Sequence, residues 1–219
     1  VDEKRQQQLI SYFKDKTPQY FPGGSAPNTI LACTGLGIKS HISGKIGMDD
    51  LGNKYMKRVN EYGVDSGLVR TDGRTGSSII LVTPDGERTM NTYLGAGEYL
   101  SKEDISDENI KEAEILYMEG YLWDRPSSKD AFLHASFVNK SSGGKNALTL
   151  SDVFCVEAHR ESFIDLIKDN IDYVFCNEDE LNALTFKDSI EDSFTFFQEN
   201  FPKLEQLICT LGPKGAIVI

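Results

Sequence analysis

Apolar and polar positions along this chain fall into short blocks that predict alternating helices and strands. Residues 1–14 are a polar stretch with an apolar stripe at Leu9, Ile10 and Phe13, the spacing of a surface helix. PQYFPGGSAPNTILACTGLG predicts a glycine-rich turn feeding a short helix closed by Gly35 and Gly37. SHISGKIG predicts a strand, and DLGNKYMKRVNEYG a helix ending at Gly63. The character then changes. TGSSIILVTPDGERTMNTYLG reads as two β-runs joined by Pro84-Asp85-Gly86, a hairpin with Asp-Gly in the turn.

After the hairpin, Ser101 and Asp104 have the spacing of a capping box. Alternation resumes with ILYMEG as strand, SKDAFLHASFV as helix, ALTLSD as strand and EAHRESFIDLIKD as helix. DYVFCN follows as a strand, EDELNAL and EDSFTFFQENF as helices, and QLICTLG as a strand. Ala216 to Ile219 begins one more, across a turn at Pro213-Lys214-Gly215. Apolar strands alternating with helices predict an α/β class: a mostly parallel central sheet with helices on both faces. Ligands of such sheets bind at the carboxyl ends of the strands. The hairpin is the one candidate second unit, a small β-sheet drawn mainly from about residues 65–95. No internal repeat or linker is evident.

Composition narrows the function classes. A length of 219 residues suits one large domain with a small appendage. The formal charge of -11 argues against nucleic acid and anionic membrane surfaces, though backbone amides bind phosphorylated ligands inside acidic proteins. No apolar run approaches the ~20 residues of a membrane span, and no signal-peptide pattern is present, so the cytoplasm is the expected compartment. Cys33, Cys155, Cys176 and Cys209 are scattered without a CxxC pair and read as plain buried thiols. His41, His134 and His159 show no triad or metal spacing, and Trp123 reads as a packing residue.

Four clusters could carry chemistry. In Gly23-Gly24-Ser25-Ala26-Pro27-Asn28, the glycines let backbone approach a ligand closely and Asn28 can donate and accept toward a vicinal diol; the same residues also suit an ordinary helix cap. Asn177-Glu178-Asp179-Glu180 follows a strand and places Asn177 and Glu180 on one side of a helix start. Such a carboxylate can hold Mg²⁺ through water, or merely complement the helix dipole. Thr210 to Gly215 offers a hydroxyl and a glycine-bounded turn for phosphate or ribose, and equally a simple β-turn; it lacks the Walker A spacing. Arg88, beyond the hairpin turn, is either a phosphoryl clamp or a solvated charge.

Taken in order, GGSAPNT, GKIGMDDLG, TGSSIILVTPDGERTMNTYLGA, NEDE and TLGPKG resemble the successive signatures of the ribokinase-like (PfkB) carbohydrate and nucleoside kinases, from about Phe21 to Ile219. Ile30 departs from the small residue usual in the first signature, and LTLSDVFCVEAHRESF looks most like the bacterial adenosine-kinase-like branch. The resemblance implies a ribokinase-like fold and ATP- and Mg²⁺-dependent phosphorylation of a hydroxymethyl group on a sugar or nucleoside. It implies that Gly23, Gly24 and Asn28 hold acceptor hydroxyls with Ser25 beside them, and that the hairpin is a lid carrying Arg88 to the phosphoryl group. It implies that Asn177 and Glu180 form an NxxE motif tied to phosphate and Mg²⁺, and that Thr210, Gly212 and Gly215 form the turn on which ATP lies. Lids of that family often pair edge to edge, and an exposed hairpin permits a homodimer here; monomers also occur.

Two family parts are expected outside these residues: a first strand with a substrate-binding aspartate, and a Gly-Ala-Gly-Asp motif whose aspartate is the general base. LGAGEYL at Leu94–Leu100 is no substitute, because glutamate follows the second glycine and it lies directly after the hairpin. The expectation is therefore one incomplete domain over 1–219 that does not turn over alone. Two rivals differ in class. A non-catalytic relative would bind sugar or nucleotide as a sensor; a dinucleotide-dependent oxidoreductase would need a GxGxxG after its first strand, which is missing.

Overall fold

A computed structural model describes all residues, Val1–Ile219, which divide into two compact units, Val1–Leu100 and Ser101–Ile219.

The first unit opens with α1 (Glu3–Tyr12), capped by the Asp2 carboxylate on the Arg5 amide at 2.7 Å. The apolar stripe expected to bury this helix does not do so. Ile10 and Phe13 are exposed, and the fully buried residue is Gln6. Its amide donates to the Ser77 carbonyl at 2.8 Å and accepts from the Ser77 hydroxyl at 3.1 Å, so a paired polar side chain fixes the helix where hydrophobic burial was expected. α2 (Ser25–Gly35), β1 (His41–Gly47) and α3 (Asp50–Glu61) follow as the sequence pattern predicts. β2 (Asp65–Thr71) pairs in parallel with β1, from His41 opposite Asp65 to Gly47 opposite Thr71. Ile42, Val59 and Val64 form the core here, with Ile30, Leu31, Tyr55 and Leu68 against them.

The hairpin is β3 (Ser77–Val82) and β4 (Arg88–Tyr93), an antiparallel two-stranded sheet of its own. Residues 65–71, expected to belong with it, instead complete the β1 pair. At its tip the Gly86 amide donates to the Thr83 carbonyl at 2.9 Å, and Gly86 takes a φ of 89° that suits glycine. One face of the hairpin exposes Ile80, Val82 and Met90.

The second unit holds a five-stranded sheet in the order β5 (Ile115–Glu119), β6 (Lys145–Thr149), β7 (Tyr173–Asn177), β8 (Gln206–Thr210) and β9 (Ala216–Val218). The first four are parallel, and β9 returns antiparallel to β8. The connecting helices are α5 (Pro126–Ser141), α6 (Val153–Asn170), α7 (Glu178–Thr185) and α8 (Ile190–Asn200), after a short α4 (Asp107–Glu112). The Ser101/Asp104 capping box forms as expected, on a single 3-10 turn. Leu148, Leu150, Phe163, Ile167, Leu181, Leu184, Phe197 and Leu207 are fully buried. Trp123 is buried beyond β5, its indole N–H donating to the Ser162 hydroxyl at 2.8 Å and its ring stacked on Phe163.

A buried polar network locks the amino-terminal side of this sheet. The Asn146 amide donates to the Ser136 hydroxyl (2.6 Å) and the Asn170 carbonyl (2.9 Å), and accepts from Asn139 at 3.1 Å. Its backbone N–H donates to the Asp172 carboxylate at 2.7 Å. Asn146→Ala strands those partners and is expected to cost about 2 kcal/mol in urea denaturation. Lys145→Ala, which breaks only the exposed ion pair with Glu205, should leave the midpoint nearly unchanged.

Candidate functional site

The expected site residues lie on both units. On the first, α2 begins at Gly24, whose φ of 110° is in the left-handed region and which supplies no side-chain cap. The helices α1, α3, α6, α7 and α8 each have a side-chain acceptor at that position. Gly24 offers the start of α2 no such side-chain acceptor. Ser25 is half-buried in its first turn, and Asn28 is exposed one turn on, its backbone N–H bonded to the Gly24 carbonyl at 3.0 Å. A Cβ on Gly24 would press on the Pro27 ring at 2.9 Å, whereas one on Gly23 would meet nothing within 4 Å. Arg88 opens β4 opposite Val82 with its side chain exposed.

On the second unit, the structure brings the predicted residues together. Asn177 and Thr210 are direct register partners at the carboxyl ends of β7 and β8. The Thr210 hydroxyl donates to the Cys176 carbonyl at 3.3 Å. The turn beyond it closes with the Leu211 amide on the Gly215 carbonyl at 2.8 Å. Gly212 and Gly215 take φ values of 56° and 95°, and a Cβ on either would meet nothing within 4 Å, so this backbone lies open to a ligand.

Asn177 caps α7 and forms a reciprocal box with Glu180. Asn177 Oδ1 accepts from the Glu180 amide at 2.8 Å, while the Glu180 carboxylate accepts from the Asn177 backbone N–H (3.2 Å) and Nδ2 (2.8 Å). The cluster is thus a helix cap that stands at a strand's carboxyl end. Burial pushes the Glu180 carboxyl above the usual range; the Asn177 amide opposes this, and the Asp152 and Asp179 charges add to it.

Sequence reasoning missed the neighbours of Glu180. Glu119 ends β5, and Asp152 caps α6 directly after Ser151, whose φ of 73° is rare for a non-glycine. Burial drives the Tyr121 phenol up to about 12, helped by Asp152, Cys155, Glu119 and Glu180. Burial likewise drives the Cys155 thiol up to about 11, helped by Asp152, Asp124, Glu180 and Glu119. The charges of Glu119, Asp152 and Glu180 thus all bear on Tyr121 and Cys155. Glu119 and Asp152 end or follow strands, where ligand-facing residues are expected, but neither stands in a distinctive local motif. No three His, Cys, Asp or Glu side chains converge as direct metal ligands. All four cysteines are free thiols, three of them buried and Cys33 partly so.

This order of strand-end elements has a counterpart among known proteins: residues 4–219 match the description "pfkB family carbohydrate kinase". The chain belongs to the pfkB family. It is 30% identical over 204 residues to fructokinase-1 of Zea mays, covering 89% of this chain and 62% of that protein. The chain thus spans about three-fifths of the length of the curated relatives it matches. In fold it matches the adenosine kinase of Sinorhizobium meliloti (TM-score 0.90, 33% identity, 100% of this chain and 66% of that one). A probable sugar kinase from Rhizobium etli matches at TM-score 0.92 and 33% identity over the same shares. A putative ribokinase II from E. coli, solved in complex with ATP and Mg²⁺, shares the fold at TM-score 0.81 and 20% identity, over 93% of this chain and 68% of that one. The expected ribokinase-like α/β fold is confirmed. No helix is long and apolar enough to cross a membrane.

Two outcomes follow from the geometry. Gly23→Ala should keep wild-type thermal stability, while Gly24→Ala should lower it by about 1 kcal/mol or more in denaturant titration, since it combines left-handed strain with the Pro27 clash. Glu180 has its folded pKa raised above its unfolded value, so stability falls as pH rises between the two, and the penalty is complete above the raised value. Glu180→Gln removes the charge and keeps one oxygen to accept from Asn177. Melting temperatures across about pH 4 to 8 should therefore show a flatter profile, with no loss at neutral pH. A loss above about 1 kcal/mol would make Glu180 chiefly a helix cap.

Proposed function

We propose that this protein is an ATP- and Mg²⁺-dependent kinase that phosphorylates a hydroxymethyl group of a sugar or nucleoside. The observation that carries this reading is the register pairing of Asn177 with Thr210, which puts the Asn177–Glu180 box beside the open Gly212–Gly215 turn at one strand-end edge. Membership of the pfkB family over residues 4–219 supports it.

The residues fit both cofactors. A buried carboxylate whose charged neighbours are Asp152 and Asp179 favours a cation, and the absence of a three-residue ligand set suits Mg²⁺, which keeps most of its water. Glu180 would hold the ion through water. The glycine turn and Thr210 would seat the nucleotide, and Asn177 would orient a phosphate. When bound, ATP supplies the γ-phosphoryl group and Mg²⁺ neutralises its oxygens. On the first unit, the uncapped start of α2 with Gly23, Gly24 and Ser25 would take acceptor oxygens, and Asn28 would donate and accept toward neighbouring hydroxyls. Arg88, on the hairpin, would meet the charge that builds on the transferring group. The hairpin itself would exclude water, whose attack wastes ATP.

ADP release by the full-length protein, measured with adenosine, other nucleosides, ribose, fructose and hexose phosphates, tests this. One acceptor should stimulate release, and Asn28→Ala should raise its KM about tenfold or more while leaving the KM for ATP nearly unchanged. Retained ATP binding with no stimulation by any acceptor would instead favour a non-catalytic sensor.

A further inference from the structure

The hairpin is held at its base by Gln6 on Ser77 and, just ahead of β3, by one carboxylate. Asp49 lies between β1 and α3, far in sequence from the hairpin strands. Its Oδ1 accepts from the Gly52 amide at 2.8 Å, the usual work of an α3 cap. The same carboxylate also reaches across to residue 75, just ahead of β3. Oδ1 accepts from the Thr75 hydroxyl at 2.5 Å and Oδ2 from the Thr75 backbone N–H at 3.0 Å. The Thr75 hydroxyl in turn accepts from the Gly47 amide at 2.9 Å, and Thr75 is buried. One side chain thus fastens the end of β1, the start of α3 and the incoming leg of the hairpin.

The surrounding glycines make that junction tight. A Cβ on Gly47 would lie 2.3 Å from the Gly73 carbonyl oxygen, and one on Gly52 would lie 2.2 Å from that of Gly47. The two hairpin legs touch just beyond the clamp: a Cβ on Gly76 would lie 2.4 Å from the Leu94 oxygen, and one on Gly95 would lie 2.5 Å from the Arg74 oxygen. The Ala96 amide donates to the Arg74 carbonyl at 2.8 Å, tying the outgoing leg to the incoming one. The base of β3 and β4 is thus tied at Thr75 and between its own two legs.

We propose that Asp49, through Thr75, is the positioning residue that sets the resting angle and stiffness of the β3–β4 hairpin. This rests on the kinase reading only for its catalytic consequence; the mechanical part stands without it. Burial tends to raise the Asp49 carboxyl, but the Thr75 hydroxyl and the Gly52 and Thr75 amides outweigh it and hold it below the usual range, so the clamp stays ionised at neutral pH.

Asp49→Asn separates the clamp from the cap. An asparagine oxygen still accepts from the Gly52 amide, while its NH₂ group cannot accept from the Thr75 backbone N–H. Hydrogen exchange on the full-length protein should show amides of residues 77–93 exchanging about tenfold faster, with α3 and the β5–β8 sheet at wild-type rates. Thr75→Val should reproduce this and Thr75→Ser should restore wild-type exchange. Unchanged hairpin exchange, or equal acceleration in α3, would overturn the proposal. In turnover, Asp49→Asn should raise acceptor KM and the share of ATP hydrolysed without transfer, with the KM for ATP little changed. If wild-type protein phosphorylates none of the acceptors while the exchange pattern holds, the kinase reading fails and the clamp stands. If turnover is normal and the exchange pattern is absent, the reverse applies.

Discussion

The structure depends on how each strand hands its backbone to the following helix. A helix begins with amide N–H groups that have no partner in the helix, and at a strand's carboxyl end they face the region where ligands of such sheets gather. Three junctions meet this with a polar side chain from the turn: Asp49 before α3, Asp152 before α6 and Asn177 before α7. Two helices open without one: α2 on Gly24, and α5 on Arg125 with Pro126 in its first turn. The capping requirement thus places acidic and amide groups at these helix starts.

That constraint makes a helix cap and a ligand-facing group fall on the same residues. Asn177 and Glu180 are mutual hydrogen-bond partners, and they are also set beside Thr210 by strand register. A residue that must be polar for the helix is available for chemistry at no further structural cost. Its conformation is fixed beforehand by the cap, which is the preorganisation a binding group requires.

Much of the fold was legible because its signals are local. Pro84-Asp85-Gly86 specified the hairpin turn, the Ser101/Asp104 spacing gave a capping box, and two-sided apolar strands gave the parallel sheet. What failed was non-local. Gln6 is buried because Ser77, seventy-one residues away, satisfies its amide, and no periodicity in α1 announces that partner. The pairing of β2 with β1 depends on register across α3 rather than on the strand's own composition. In the candidate site, Asn177, Glu180 and Thr210 stand in clusters of distinctive local composition. Glu119 and Asp152 do not, and they are set near Glu180 only by the alignment of β5, β6 and β7.

The burial of Trp123 has an optical consequence. It is the only tryptophan in the chain, so ultraviolet emission excited at the red edge comes from a single location. That location is the dry interior just beyond β5, with the indole N–H fixed on Ser162 and the ring against Phe163. Two residues before it stands Tyr121, among the carboxylates of the strand-end edge. The protein therefore carries a built-in fluorophore on the segment that leaves this edge, and its colour and lifetime report local repacking there without any label.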